Sequence, residues 1–339
     1  MKYKANLQDV AKKAGVSICT VSRTIHNKGY VSVETRNKIL KAVEELNYQP
    51  NRAARSLAFG KTHNLGIVMN RDLNEYDSIK IFNSIIINGI SDIAEAHNYS
   101  LLLAMGSNQN LESKISEVIE NVDGILIINV VKEEILNQII KKNIPVVLVD
   151  NHFDNKKLPA VNNDDYLGAY IGTKHLLSIG YTEIGFFGIE ENSFNRECEK
   201  GFKKAFTEFG IKMSSNFYVK CKGSLESGFH EMKKIIKHKK PPRAIFAVND
   251  EIAIGAMRAV KDSGLRVPED IAIVGMDDMP LLDYVETPLT TLRIHISEIG
   301  KKAVWLLINL INENRDIDYQ ITIPPVLVIR KSCGSSLYF

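Results

Sequence analysis

Apolar residues follow two regimes along this chain: helical spacing near the start, then short continuous runs from Leu65 onward. Leu7, Val10, Ala11 and Ala14 stand at i, i+3, i+4 and i+7, the spacing that lines one face of a helix. Asn6 can cap that helix, with Asp9 three positions on to answer it. Gly15 suits the sharp stop that follows, because it tolerates φ > 0. Ser17 then starts a second helix that turns Val21 and Ile25 inward and leaves Ile18, Cys19, Ser22 and Arg23 facing out. A third helix begins at Ser32, with Ile39, Leu40, Val43 and Leu46 expected on its buried face. A second helix set across a first, polar along its outer side, is the geometry that fits the major groove of DNA.

The later pattern is different. LGIVM (65–69), SLLLAM (100–105), DGILII (123–128) and PVVLVD (145–150) read as buried strands separated by helical stretches. IGFFGI (184–189), RAIFAV (243–248) and IAIVGM (271–276) form a second series. Continuous apolar strands alternating with helices imply parallel sheets covered on both faces. Two series imply two similar subdomains, with a ligand outside the carboxyl ends of the strands. Between the regimes lies NYQPNRAARSLAFGK (47–61), where Pro50 extends the chain and Asn51 can cap a short helix over 52–58 that Gly60 ends. So short a helix is marginal in isolation and needs DNA or a partner to form.

A chain of 339 residues exceeds one ordinary core, so two or three domains are expected. The 45% hydrophobic and 24% charged content is that of a soluble globular protein. No run approaches the roughly 20 apolar residues of a membrane span, and MKYKANLQDV lacks the apolar core of a signal peptide. A cytoplasmic location is therefore expected. Cys19, Cys198, Cys221 and Cys333 show no paired spacing, which reads as four reduced thiols and no metal site. The net charge of +3 hides an asymmetry: residues 1–61 hold 12 Lys/Arg against 4 Asp/Glu, and the remainder 31 against 36. Basic character concentrated in the first fifth of the chain is the footprint of a phosphate-binding module.

The segment DVAKKAGVSICTVSR resembles the signature of the lactose/galactose-repressor (LacI/GalR) family of bacterial transcription factors. The resemblance continues through GA-x(5)-HL-x(3)-GY at 168–181, NDEIAIGAMRAVKDSGLRVPEDIAIVGMDD (249–278), PLTTL (288–292) and PPVLVIR (324–330). It implies a small all-α helix-turn-helix domain (1–50), a hinge helix and linker (51–61), and an α/β periplasmic-binding-protein-like (type I) effector and dimerisation domain (62–339) with parallel sheets. The implied N-subdomain is 62–161 with 293–320, and the C-subdomain 162–292 with 321–330, joined by three crossovers.

The resemblance assigns roles position by position. Ile18, Cys19, Ser22 and Arg23 meet base edges, and Ser17, Ser32, Thr35, Tyr48 and Asn51 meet the DNA backbone. Leu7, Tyr30 and Ala54 join the contacting set. Neither Ile18 nor Cys19 can make bidentate hydrogen bonds, so apolar contacts such as thymine methyls suit them, whereas Arg23 suits a guanine. His26 stands where the family usually has Asn, and Leu57 matches the apolar wedge that the hinge helix pushes between central base pairs.

For the effector, the resemblance implies Asp150, Asn249 and Asp277, all at strand ends, where they could hold sugar hydroxyls. Phe82 offers an apolar wall or packs in the core. Asp250 and Asp278 either join the site or cap following helices. The family's sugar-anchoring Arg falls three residues before a GF or GY pair. Here that position, before Gly201–Phe202, is Cys198, which leaves Arg196 as a substitute to be tested.

The expectation is a dimeric repressor of sugar-utilisation genes that binds a palindromic double-stranded DNA operator and is controlled by a small carbohydrate effector. The alternative within the same class is a catabolite-control-type regulator that takes a phosphorylated carrier protein as co-effector. A sugar-binding protein or an enzyme using Asp277 and Asp278 as acid and base is the reading from another class. Adjacent residues at one strand end point apart, however, and no nucleophile motif accompanies them. No phosphate loop, HExxH or dinucleotide fingerprint occurs, so no cofactor is expected. The end of the chain, SCGSSLYF, carries no heptads, so a dimer is expected rather than a coiled-coil tetramer.

Overall fold

The computed structural model describes residues 5–25, 29–48, 61–71, 77–107, 109–128, 133–151, 158–189, 193–314 and 316–335. It divides into two units, residues 1–63 and 64–339.

In the first unit, α1 (Leu7–Ala14) is closed at its start by a capping box. The backbone N–H groups of Gln8 and Asp9 donate to Asn6 Oδ1 at 2.8 and 3.1 Å, and the Asn6 N–H donates to Asp9 Oδ2 at 2.8 Å. Gly15 ends the helix at φ 67°. In α2 (Ile18–Ile25) the Thr20 N–H donates to Ser17 Oγ at 3.1 Å. In α3 (Val33–Glu45) Ser32 Oγ accepts from the Thr35 N–H. Val10, Ala11, Val21, Ile39, Ala42 and Tyr48 form the core, with Leu7, Ile25, Val43 and Leu46 packed against it. Leu40 does not join them: it is 50% exposed, because the buried face winds through 39, 42, 43 and 46 and position 40 lies about 100° round from Ile39.

In the second unit the described elements run β1 (Asn64–Asn70), α4 (Asp77–Ala96), β2 (Ser100–Gly106), α5 (Leu111–Ile119), β3 (Gly124–Ile128), α6 (Glu133–Lys141), β4 (Val146–Val149) and β5 (Ala160–Asn163). There follow α7 (Asp165–Ser178), β6 (Ile184–Ile189), α8 (Ser193–Glu208), β7 (Tyr218–Cys221), α9 (Leu225–Ile235), β8 (Ala244–Ala247), α10 (Asp250–Lys261) and β9 (Ala272–Asp277). The last are β10 (Thr290–Arg293), α11 (Ile296–Ile311), β11 (Gln320–Ile323) and β12 (Val326–Val328). Two sheets result, in the orders β11-β5-β4-β3-β1-β2 and β12-β10-β9-β8-β6-β7. Every described pair is parallel except β10 with β12, which is antiparallel. The inner strands are buried along their length, as two-sided coverage requires.

The chain passes between the sheets after β5, after β10 and after β11. Boundaries at 161/162 and 320/321 therefore fall inside strands. Asn162 and Asn163 pair with Thr322 and Ile323 in the first sheet, so strand membership moves these crossings two or three residues onward. Those strands are short and half polar, and no apolar run marks where they end.

Glycines bring helices together backbone to backbone. A Cβ on Gly255 of α10 would lie 2.0 Å from Leu225 O of α9, and one on Gly228 of α9 would lie 2.3 Å from Ile252 O of α10. Neither position can carry a side chain unless the two helices separate. Gly255→Ala is expected to destabilise the second unit by about 2–3 kcal/mol. Chemical denaturation checks it, and an unchanged midpoint would refute the close approach.

The tail after β12 is anchored into the second sheet. Ser332 Oγ donates to Ile273 O at 2.6 Å and accepts from the Thr290 N–H at 2.8 Å. Cys333 Sγ lies 3.3 Å from His175 Nε2 and 3.4 Å from Ser335 Oγ. Burial pushes the Cys333 thiol up, but hydrogen bonds from His175, Ser335 and Thr290 outweigh it and bring the thiol down to about 7. A thiol lowered in the folded state from an ordinary value of 9.0 adds stability that is full above that value and lost as pH falls through about 7. The wild-type chain is thus expected to gain stability over Cys333→Ala between pH 6 and pH 9, read from unfolding midpoints at each pH. A parallel pH profile for the two proteins would remove the ionised thiol.

Candidate DNA-binding helix and ligand cleft

On α2, Ile18 is 44% exposed, Cys19 and Arg23 are exposed, and Ser22 is half-buried. The spacings 18–22 and 19–23 are each i, i+4, so the four form two neighbouring rows. Val21 and Thr24, on the other side, are buried, and Thr24 Oγ1 donates to Thr20 O at 2.9 Å. The core therefore fixes which face of α2 is offered outward.

Ser17 and Ser32 stand exposed at the starts of α2 and α3, Thr35 is half-buried, and Tyr30 is 93% exposed. Tyr48 differs from these: at 8% exposure its ring belongs to the small core. Leu7 also packs against that core rather than standing free. His26, Asn51, Ala54 and Leu57 lie outside the described residues.

In the second unit a cavity of about 590 Å³ is lined by Asp150, Asn249 and Asp277 together with Phe82. Asp150 and Asp277 sit at the exits of β4 and β9 in left-handed backbone, at φ 50° and 135°, and Asp278 follows at φ 59°. Such backbone costs on the order of 1–3 kcal/mol per residue and persists only where the surroundings hold it.

Arg196 is exposed and lies outside this lining. Its neighbour Asn195 takes the inward position instead: Asn195 Oδ1 accepts from the Ile189 N–H at 2.9 Å and Nδ2 donates to Tyr218 Oη at 3.3 Å. Cys198 is fully buried in the main core, and burial pushes its thiol well up. Neither residue is among those that line the cavity.

Asp250 and Asp278 do not act as helix caps. Asn249 caps α10, accepting from the Ile252 N–H at 2.8 Å while its Nδ2 donates to Gly223 O at 2.9 Å. Asp250 is fully buried and accepts from Thr291 Oγ1 at 2.6 Å and the Met279 N–H at 3.0 Å. Asp278 is held between Arg293 Nε at 2.6 Å and the Arg330 guanidinium at 2.7 Å.

Burial, followed by the charge of Asp250, raises the Asp277 carboxyl well above the carboxylate range. Burial also raises Asp250, to about 6, partly offset by the Thr291 and Met279 hydrogen bonds. Asp277 therefore keeps its proton to a higher pH than an ordinary carboxyl, and in that form it can donate as well as accept. Sequence reasoning missed Asp165, Phe194, Lys222, Arg293 and Lys301 in the lining. Lys222 follows β7 and Arg293 ends β10, both four-residue strands without an apolar run to signal them. No group of metal-ligating side chains occurs among the described residues, and no described helix is long and apolar enough to cross a membrane.

Comparison with known proteins places one family match in each unit. Residues 6–51 match the family described as bacterial regulatory proteins, lacI family, and residues 173–333 match the periplasmic binding protein-like domain. The HTH-type transcriptional repressor PurR of Pasteurella multocida (strain Pm70) is 34% identical, over 98% of this chain and 100% of the relative. Catabolite control protein A of Priestia megaterium is 31% identical, over 96% and 98%. The crystal structure of the Lac repressor dimer bound to operator and the anti-inducer ONPF superposes with a TM-score of 0.83 at 27% identity, covering 98% of this chain and 99% of that one. With its helix-turn-helix, two-sheet second unit and relatives matched end to end, the chain belongs to the lacI family of bacterial regulatory proteins and is a DNA-binding transcriptional repressor, not an enzyme.

Proposed function

We propose that two copies of this chain bind a palindromic operator, each laying α2 in a major groove, and that a small carbohydrate-like effector in the cleft controls their affinity for it. The observation that carries this reading is the cavity itself, in which Asp150, Asn249 and Asp277 converge from three strand ends. Those groups offer donors and acceptors suited to sugar hydroxyls. An effector that binds one arrangement of the subdomains better than the other shifts operator affinity by that difference in binding energy. The Lac repressor relative is a dimer on operator, which supports the paired arrangement.

A second reading is favoured by one observation: Arg293, the arginine of the described lining, is engaged by Asp278. A cleft without a free arginine anchor suits a regulator whose co-effector is a phosphorylated carrier protein, and one relative is a catabolite control protein.

The test is fluorescence anisotropy of DNA from upstream of the gene, at near-physiological salt, titrated with the full chain and a panel of sugars and sugar phosphates. Specific binding released by one compound supports the first reading. Binding that strengthens only with a phosphorylated carrier protein supports the second, and equal affinity for scrambled DNA would sink both. Arg23→Ala is expected to cost about 1–3 kcal/mol on the operator and far less on scrambled DNA; equal losses would remove it from base reading. Asp277→Asn is expected to hold the released compound within about threefold of wild type at pH 7, and Asp277→Ala to lose about tenfold or more. Wild-type affinity should fall as pH rises and Asp277 loses its proton, a dependence that Asp277→Asn should abolish.

A further inference from the structure

The loop from α9 to β8 concentrates positive charge on an otherwise acidic unit. From Met232 to Asn249 the chain carries six Lys/Arg and no Asp or Glu, although residues 62–339 hold 31 Lys/Arg against 36 Asp/Glu. Strands β6, β7 and β8 are parallel, so the loops that enter them share one end of the second sheet. That end is opposite the carboxyl ends, where Asn249 and Asp277 line the cleft.

Three of the six cations are occupied within the fold. Lys233 Nζ donates to Ser263 Oγ at 3.1 Å and lies over the Phe229 ring. Lys234 pairs with Glu231 at 2.6 Å, and the Arg243 guanidinium donates to Glu269 O at 2.9 Å. Lys237, Lys239 and Lys240 are exposed and make no hydrogen bond or ion pair with any described residue. Helix-end chemistry does not account for them. Helix α9 ends at Ile235, and the carbonyls of Lys234 and Ile235 already accept from the Lys237 and His238 N–H groups. The pull of a helix end on cations fades beyond its last turn. The loop itself is pinned. The His238 ring lies 6.5 Å from the buried Phe217 ring, and Pro241 and Pro242 fix the approach to β8.

From this cluster we infer that the loop 236–243 is a docking surface for a short, Asp- and Glu-rich segment of a partner protein. Carboxylates of such a segment relieve the mutual repulsion of Lys237, Lys239 and Lys240, and a loop already fixed loses little freedom on binding. The surroundings select a short partner. Glu231 and Asp270, each in an ion pair, and Glu269 border the patch. A rigid duplex laid across it would press phosphates against those carboxylates, whereas a short flexible segment covers the lysines alone. The loop exposes no aromatic ring on which a base could stack. Ile236 packs against the core and offers no wedge to a bilayer.

The experiment is lysine footprinting of the full chain: acetylation rates are read at each lysine by mass spectrometry, with and without a probe. The probe is a short peptide of alternating Glu and Gly, and its control carries Gln in place of Glu. The acidic peptide is expected to slow acetylation of Lys237, Lys239 and Lys240 on the order of fivefold, and the exposed Lys142 and Lys204 by less than about twofold. Protection should vanish with the Gln peptide and in about 0.5 M salt, where charges are screened within a few ångströms. Lys239→Gln combined with Lys240→Gln should cut the protection of Lys237 below about twofold. Both side chains are exposed, so the unfolding midpoint of that variant should stay near wild type, and it is measured alongside. Equal protection of all exposed lysines, or protection that survives salt or the double substitution in a folded variant, would overturn the inference. Stronger protection of these three lysines by a scrambled DNA duplex, or by phosphatidylserine vesicles, at equal charge concentration would overturn it in favour of nucleic acid or membrane.

Discussion

The floor of the cleft depends on one buried carboxylate. Asp250 opens α10 with no exposure, and its two oxygens hold the Thr291 hydroxyl on β10 and the Met279 N–H just beyond β9. Three elements are thereby fixed at the point where the second sheet ends. With that anchor in place, Asp277 is held in left-handed backbone facing the cavity, and Asp278 is set between Arg293 and Arg330. A buried charge costs free energy unless it is well hydrogen-bonded. The rise of Asp250 to about 6 records that cost, and the hydrogen bonds it accepts limit it.

The Asp278 bridge extends the same logic to the crossings. Arg293 is the last residue of β10, immediately before the chain passes to α11, and Arg330 follows β12 just after the third crossing. One nearly covered carboxylate thus connects the exits of β9, β10 and β12. A ligand that engages Asp277 acts one residue from this bridge. Coupling between sites needs such an element whose arrangement both states can bias. In the small first unit the constraint is simpler, because capping and a six-residue core decide which side of α2 is exposed.

Much of this was legible from the residues, and the gaps have physical causes. The capping box at Asn6 and the turn at Gly15 are local chemistry, so sequence spacing alone located them. The strands β3, β4 and β8 announce themselves by unbroken apolar runs. The outlying strands β5, β7, β11 and β12 are four residues long or fewer, and β5, β7 and β11 carry polar side chains, so pairing defines them where composition does not. Leu40 was misplaced because an apolar residue next to a buried face resembles a member of it. Charge drew attention to Arg196, which lies exposed outside the lining, while Asn195, one position earlier, takes the inward place by bonding to Ile189 and Tyr218. Strand-end carboxylates were legible as a group. Which of them would cap, bridge or face the cavity depended on partners some 15 to 50 residues away in sequence.

The glycine contacts between α9 and α10 carry a mechanical meaning. Where two helices touch through their backbones, no layer of side chains lies between them to slide or change rotamer. Alpha-helices α4 and α11 meet in the same way, through Gly89 and Gly300. Each half of the second unit is thus stiff at its helix seams, and softness is left to the three strands of chain that join the halves. On the proposed reading, a small molecule bound in the cleft would displace whole blocks about those joints rather than rearrange either one locally.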